Sequence, residues 1–194
     1  QYKYLLELLK SGLYDEFFKS FHDCAVCFFD PKTYGRSTLE NSSFIVSSVY
    51  PDKNLWGKGF VARLSGATAE LLNIWIMLCL GKQPFVFNKN NGLVLKFSPI
   101  LPKELFTKAF VSVEFEGKKA ALPENSFSFK LFGKTLVCYH NPKRKDTFTK
   151  SCKIEKIEIT KKGRKIVIPG KNIRDPFSQE VRNGQIERID VYFS

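Results

Sequence analysis

Long hydrophobic runs are missing from this 194-residue sequence, although 43% of its residues are hydrophobic. The longest candidate, Leu71 to Leu80, is about half of the roughly 18 residues that a membrane span needs, and Asn73 interrupts it. Near the N-terminus, Glu7 and Asp15 break up any apolar stretch that could act as a signal peptide. We therefore predict no membrane attachment. A chain that begins with Gln1 rather than Met indicates a fragment or a processed product.

Cysteine pairs and histidine are also scarce. The five cysteines are an odd number and are widely scattered, whereas secreted disulfide frameworks favour an even count in a shorter chain. Reduced thiols in a cytoplasmic protein are the simpler interpretation. Cys24 and Cys27 form a CxxC pair beside His22, but zinc normally needs a fourth ligand, so incidental thiols are favoured. His140 lacks a nearby nucleophile pattern, and a structural or surface role is favoured for it.

Negative charge is outnumbered two to one by positive charge in the second part of the chain. The formal net charge is +12, with nine Lys/Arg and eight Asp/Glu in residues 1–87 against twenty-two and eleven in residues 88–194. So basic a segment could meet phosphate backbones, be a solvated Lys-rich surface, or dock a more acidic partner domain. A basic run at residues 141–150 lacks the aromatic platform of single-strand binders and is interpreted as an exposed turn. Nucleic acid is therefore an unlikely partner.

The first half of the sequence is patterned for helices. Apolar residues over 5–21 follow helical spacing, and Gly12 is expected to divide them into two short helices. A further helix is predicted from about Ser65 to Leu80, ending at Gly81. This helix is apolar on nearly every face, which predicts burial on all sides. So few helices cannot cover one another, and further helices upstream are expected.

The second half changes to a period of two. Hairpins are predicted with turns near Gly133 and at Lys162-Gly163, and the last segment is predicted to be a strand. Spacings of three between Ile154 and Ile157, and between Ile186 and Ile189, predict β-bulges or register changes. The sequence thus predicts an α+β protein with helices in residues 1–87 and an antiparallel β-sandwich in residues 88–194.

The start of the Ser65 helix carries the most chemical information. Ser65 is placed as an N-cap and is followed by Gly66 and, three residues on, by Thr68. Free backbone N–H groups there form an anion cradle, the helix dipole adds to it, and Arg63 supplies positive charge. From spacing alone, an ordinary N-cap on a buried helix is favoured over a binding site.

Three segments, taken in order, resemble the C-terminal part of glycoside phosphorylases related to cellobiose phosphorylase, and most closely the long β-oligoglucan phosphorylases. They are YGRSTLENSSFIVSSVYPD, GKGFVARLSGATAELLNIWIMLCLGKQP and GLVLKFSPILPKELF. In that family an Arg precedes a helix that starts with a small–Gly–small segment and ends in Leu-Gly. A short strand and a P-x-L-P turn follow, here Pro99 to Pro102.

The resemblance implies the last helices of an (α/α)6 barrel followed by a jelly-roll-like β-sandwich. It also implies inverting phosphorolysis of β-glucosides or β-oligoglucans to glucose 1-phosphate. A single Asp, expected upstream of Gln1, protonates the glycosidic oxygen while phosphate attacks the anomeric carbon. Phosphate replaces the base-activated water of an inverting hydrolase, so the site needs an anion cradle. No cofactor is implied, the expected partners are the substrate and the rest of the barrel, and related enzymes are often homodimers.

The resemblance gives roles to individual residues. Arg63, Ser65, Gly66 and Thr68 are predicted to bind phosphate, although better-known members read Thr-Gly-Thr-Ala where this chain has Ser-Gly-Ala-Thr. Glu40 and Asn41 are predicted to bind substrate, in place of a Glu-Pro-Tyr segment. A third substrate-binding candidate is Glu70, because a carboxylate in an apolar helix needs a partner, and an internal salt bridge is the equal alternative.

Two other classes of function remain open from the sequence. One is a non-catalytic carbohydrate-binding or scaffold module of the same architecture, and the other is a basic nucleic-acid-binding domain. The 194 residues alone are predicted to be inactive, because the general acid is expected upstream.

Overall fold

A computed structural model describes residues 1–37, 40, 42–62, 66–90 and 92–194, with the side chains of 62 and 66–68 not described. The fold is α+β, as predicted. The chain divides into two compact units, Gln1–Ile76 and Met77–Ser194, and the division falls within a helix. Helices predominate in the first unit and strands in the second. The expected domain boundary between residues 87 and 88 stays a prediction.

The first unit opens with two helices, α1 (Tyr2–Ser11) and α2 (Tyr14–Cys24). They are separated at Gly12, as predicted, because Gly12 adopts a left-handed φ of 80° and its N–H bonds to helix carbonyls. Each helix buries one apolar face, and its buried members include Leu5, Leu9 and Phe17.

A short helix and a two-stranded sheet lie between α2 and the last helix of this unit. Helix α3 (Pro31–Tyr34) follows a 3-10 turn at Val26–Phe28, and a second 3-10 turn spans Lys53–Leu55. Strands β1 (Ser42–Ile45) and β2 (Gly59–Ala62) pair antiparallel. The segment containing β1, which the sequence left undecided between helix and strand, is thus extended.

Helix α4 (Gly66–Leu80) starts and ends close to the predicted positions. The prediction that it is buried on all sides is wrong for the described residues. Ile74 and Leu78 are fully buried, but Leu72 is 60% exposed and Ile76 48% exposed. Residues four apart share a helix face, so α4 has one buried face and one open apolar face. No helix in the described ranges is long and apolar enough to cross a membrane.

The last four carbonyls of α4 all have partners. The last four carbonyls of a helix find no N–H donor within the helix, so their donors must come from outside it. Met77 accepts from the Gly81 N–H, Leu78 from Ile100, and Leu80 from Ser98. The fourth, Cys79, accepts from the buried Tyr139 hydroxyl. The helix end is therefore fully capped.

The second unit contains the remaining strands and one short helix, α5 (Phe177–Arg182). The strands are β3 (Phe85–Asn88), β4 (Gly92–Lys96), β5 (Val111–Phe115), β6 (Lys118–Leu122), β7 (Ser126–Leu131), β8 (Thr135–His140), β9 (Ile154–Lys161), β10 (Arg164–Ile168), β11 (Asn172–Arg174) and β12 (Arg188–Phe193). The β7–β8 and β9–β10 hairpins turn where the sequence predicted. Neither β11 nor α5 was predicted.

The strands form sheets with the orders β10-β9-β12-β8-β7, β11-β4-β3 and β5-β6. The expectation of a purely antiparallel arrangement is wrong at one pair, because β12 lies parallel to β8. A bulge occurs where β9 skips Glu155 opposite Tyr192 and Phe193, within the Ile154–Ile157 spacing that predicted it. Ile186 lies before β12 begins, so the second spacing falls outside the strand.

The five-stranded sheet has two chemically different faces. Alternating residues on one face are apolar and fully buried, including Val137, Tyr139, Ile157, Ile159, Ile189 and Val191. Because successive side chains point to opposite faces, the intervening residues of β8 and β12 share the other face. Those residues include Cys138, His140, Arg188, Asp190 and Tyr192, and this face is polar.

Candidate functional site

The residues predicted to bind phosphate lie, by their position in the sequence, at and just before the start of α4. The helix begins at Gly66, within one residue of the predicted start. Arg63 and Ser65 lie outside the described residues, and Gly66 and Thr68 are described by their backbone alone. The roles assigned to these four residues stay predictions.

The predicted substrate-binding residues have separate surroundings. The Glu40 carboxylate lies 3.3 Å from Arg36 Nη1, and the Glu40 carbonyl accepts a 2.7 Å hydrogen bond from the Tyr34 hydroxyl. Asn41 lies outside the described residues. Glu70 is largely buried and lies 3.9 Å from the Nζ of the exposed Lys3. Glu70 thus has the ion pair that was the alternative to a site role, but so long a contact with an exposed lysine is weak.

A cleft of about 530 Å³ opens in the first unit. It is formed by the end of α2, the turn and short helix that follow it, β1, and the loop that leads into β2. Its size lies within the range of small-molecule sites, roughly 300–1,000 Å³. We call this space the aromatic cleft, because its walls include Phe28, Phe29, Tyr34 and Trp56.

The rings of the aromatic cleft are held in place by their neighbours. Trp56 Nε1 donates a 2.7 Å hydrogen bond to the Tyr50 carbonyl. The Phe28 ring stacks on His22 with centroids 5.6 Å apart, and the Phe29 ring meets Tyr34 edge to face at 5.8 Å. These contacts fix ring positions without a ligand, which lowers the cost of ordering the walls on binding.

The rim of the aromatic cleft is polar and carries negative charge. The Asp23 side chain is 80% exposed, and its carboxylate lies 3.6 Å from His22 Nδ1. Asp30 is held as the N-cap of α3, accepting bonds from the Lys32 N–H and the Thr33 hydroxyl. Within the described part of the chain, no Lys or Arg lines this cleft. Positive charge nevertheless lies nearby, because Gln1 with its α-amino group also lines the cleft and the Lys53 Nζ lies over the Trp56 ring, 5.7 Å from its centroid.

A second polar cluster lies on the five-stranded sheet. His140 Nε2 lies 2.7 Å from Asp190 Oδ1, and Arg188 contacts both Asp190 oxygens, Nε to Oδ2 at 2.8 Å and Nη2 to Oδ1 at 2.7 Å. The His140 ring also stacks on Tyr192 with centroids 4.5 Å apart. Burial opposes ionisation of Asp190, but hydrogen bonds and charge from His140 and Arg188 outweigh it and hold its pKa below the ordinary value.

The same cluster has the donor atoms of a metal site, because the ligand atoms of Cys138, His140 and Asp190 lie within 4.8 Å of one another. The residues do not fit a metal ion, however. The Arg188 guanidinium already occupies the Asp190 carboxylate and places a positive charge where a cation would have to bind. Burial raises the pKa of the Cys138 thiol to about 11, so the thiol is protonated at neutral pH in the metal-free protein. We interpret the cluster as a structural ion-pair network.

The thiols provide no activated nucleophile. All five cysteines are unpaired and lie in the described part of the chain. Burial raises the pKa of each, to about 12 for Cys79. A thiol with a raised pKa is a poor nucleophile, because the reactive form is the thiolate.

Comparison with known proteins adds no assignment: no family model matches the chain, and no curated protein matches it. The sequence analysis predicted neither the aromatic cleft nor the polar cluster on the five-stranded sheet. The alternation of Arg188, Asp190 and Tyr192 signals one polar face of the last strand, but nothing local pairs it with His140. Three of the cleft rings lie within residues 28–34 and the fourth, Trp56, comes from a later loop, so the convergence of Trp56 with the others has no local sequence signal.

Proposed function

We propose that this chain forms the C-terminal part of an inverting glycoside phosphorylase. The enzyme cleaves β-glucosides or β-oligoglucans with inorganic phosphate and releases glucose 1-phosphate. In this proposal the first unit contributes the last helices of an (α/α)6 barrel, and the strands form a jelly-roll-like β-sandwich that buttresses it.

The observation that carries the proposal is the order in which the family-like segments occur along the sequence. An Arg-containing segment leads to α4, which begins at Gly66 and ends at Leu80-Gly81. Two short strands, β3 and β4, follow where the family pattern has one, and the Pro99–Pro102 segment and the remaining strands come after them. The order of the segments supports the proposal more strongly than any single segment does.

The open face of α4 also supports the proposal. Leu72 and Ile76 are large apolar side chains with about half or more of their surface exposed. Exposed apolar surface of this kind is typical of a face covered by a partner. In the proposed enzyme the upstream helices of the same barrel cover it, and a homodimer is the expected assembly.

The proposed chemistry assigns an electrostatic task to the start of α4. The first backbone N–H groups of the helix, with Ser65 and Thr68, hold phosphate against the anomeric carbon, and Arg63 adds positive charge. An upstream Asp protonates the leaving oxygen. Phosphate is itself the nucleophile, so the reaction needs neither a second carboxylate nor a cofactor. The enzyme is expected to be cytoplasmic.

The test is phosphate-dependent release of glucose 1-phosphate from β-glucans of defined linkage by the intact polypeptide. The 194 residues alone, assayed in parallel, are expected to be inactive. Glucan binding without glucose 1-phosphate would reject the enzyme in favour of a scaffold module. Binding to DNA or RNA that weakens steeply with salt would favour a nucleic-acid-binding domain instead.

A further inference from the structure

We infer that the aromatic cleft of the first unit is a binding site for a neutral glycosyl unit. The inference rests on the proposed function for the identity of the sugar, which would be a glucosyl residue of a β-glucan. Its chemistry, however, rests on the walls and rim of the cleft itself.

The walls offer flat apolar surfaces to a ligand. Phe28 is 50% exposed although Phe21 and His22 hold its ring in place, at centroid distances of 5.8 and 5.6 Å. An aromatic face carries partial negative charge, and it attracts the polarised C–H groups on the flat side of a pyranose ring. Trp56, anchored through Tyr50, contributes a second ring to the walls, with the Lys53 Nζ over it. The cleft can therefore pack against the apolar face of a sugar.

The rim complements the equatorial edge of a sugar. Each hydroxyl both donates and accepts hydrogen bonds, so it suits a rim that mixes carboxylates with hydroxyls. Asp23 and Asp30 provide acceptors, and Thr33 and Ser48 provide hydroxyl groups. Asp30 and Thr33 are already oriented by the N-cap bonds of α3. The cleft therefore combines aromatic rings with polar groups among its lining residues, as binding a polyhydroxylated ring requires.

Charge argues against phosphate-bearing ligands, and size argues against a lone ammonium group. The carboxylates of Asp23 and Asp30 lie beside the α-amino group of Gln1, which also lines the cleft, and the Lys53 ammonium over Trp56, so the described residues there present no excess positive charge to bind phosphate groups or nucleic acids. An ammonium group suits aromatic rings with nearby carboxylates, but it needs a small cage. A volume of about 530 Å³ is that of a site for a larger ligand. A neutral sugar unit fits both constraints.

The test is calorimetric binding of β-linked gluco-oligosaccharides to the full-length protein, without phosphate. Phe28→Ala is expected to weaken binding by about tenfold, because the variant lacks the ring that packs against the apolar face of the sugar. Asp23→Ala, which alters an exposed side chain, tests the rim without risk to the core. The matched controls are Phe44→Ala, 65% exposed and outside the cleft, and Asp15→Ala on the same helix as Asp23.

Wild-type affinity in both Phe28→Ala and Asp23→Ala would overturn the inference, as would preferential binding of tetramethylammonium. The fate of the proposed enzyme is read separately, from glucose 1-phosphate formation. Weakened oligosaccharide binding in a protein that forms no glucose 1-phosphate would support the cleft and reject the phosphorylase. Glucose 1-phosphate formation with undiminished oligosaccharide affinity in both variants would support the phosphorylase and reject the cleft as a sugar site.

Discussion

His140 Nε2 lies 2.7 Å from Asp190 Oδ1, although the two residues are 50 positions apart in the chain. They meet because β8 and β12 are parallel neighbours in the five-stranded sheet. The Asp190 side chain is only 5% exposed, and Arg188 from the same strand pairs with it. A buried carboxylate is stable only with such partners, so this contact links the last strand to the interior of its sheet.

Replacing Asp190 by alanine should destabilise the protein strongly. The change leaves the Arg188 guanidinium and His140 without their shared acceptor, and breaking a buried pair by removing one partner costs about 3–5 kcal/mol. Urea unfolding measures the loss. The control is Glu116→Ala, which removes an exposed carboxylate paired with Lys130 at 2.8 Å and should change little. Equal effects of the two substitutions would contradict a structural role for the network.

The same carboxylate should make stability depend on pH in the acid range. Its pKa is lower in the folded protein than in the unfolded chain, where it is about 3.9. The stabilisation is therefore fully present above pH 4 and is lost as pH falls through the folded-state pKa. The free energy of unfolding of Asp190→Asn, compared with wild type, should differ most near neutral pH and converge below pH 4. A difference that stays constant down to pH 3 would rule out this linkage.

Local patterns were predicted well, because they need only neighbouring residues. The break at Gly12 and the hairpin turns near Gly133 and Gly163 follow from a glycine between apolar periodic segments. The parallel pairing of β12 with β8 was not predicted, since its register is set by contacts remote in sequence. The same reason explains the missed sites: alternation places Arg188 and Asp190 on one face but cannot name the partner strand.

The apolar pattern of α4 led to the wrong prediction of burial on all sides for a different reason. A helix that is hydrophobic on all faces predicts complete burial, yet Leu72 and Ile76 are open. The sequence reports which surfaces are apolar, and the structure reports which of them this part of the chain covers. The expectation of further helices upstream accounts for the difference and stays a prediction.

Tyr139→Phe should destabilise the second unit by about 1–3 kcal/mol, the cost of leaving a buried acceptor unpaired. The Tyr139 hydroxyl is fully buried and donates to the Cys79 carbonyl at the end of α4. Removing it keeps the ring packing but leaves one of four capped carbonyls without a donor. Thermal unfolding measures the change, and Tyr4→Phe, at an exposed tyrosine, is the control. Equal stability of the two variants would show that the hydroxyl contributes nothing.

Gly81→Ala should cost more than the same change at Gly133. Both glycines have positive φ, 98° and 70°, so both substitutions carry the left-handed penalty of roughly 1–2 kcal/mol. At Gly81 a Cβ would also lie 2.6 Å from the Ser98 carbonyl oxygen, whereas at Gly133 nothing lies within 4 Å. Overpacking should add about 1–3 kcal/mol at Gly81. Chemical denaturation of the two variants checks the order, and equal losses would contradict the predicted close approach.

Replacing Ser65 and Thr68 together by alanine tests the anion cradle in the proposed enzyme. Each hydroxyl is proposed to donate to a charged phosphate oxygen, and such bonds contribute about 1.5–3 kcal/mol each. The KM for phosphate should therefore rise by at least about tenfold while the KM for the oligosaccharide changes less. Ser43→Ala, at an exposed residue of β1, is the control and should leave both values unchanged. An unchanged KM for phosphate in the double variant would remove these hydroxyls from the phosphate site, and a loss confined to the oligosaccharide would move them to the sugar side of it.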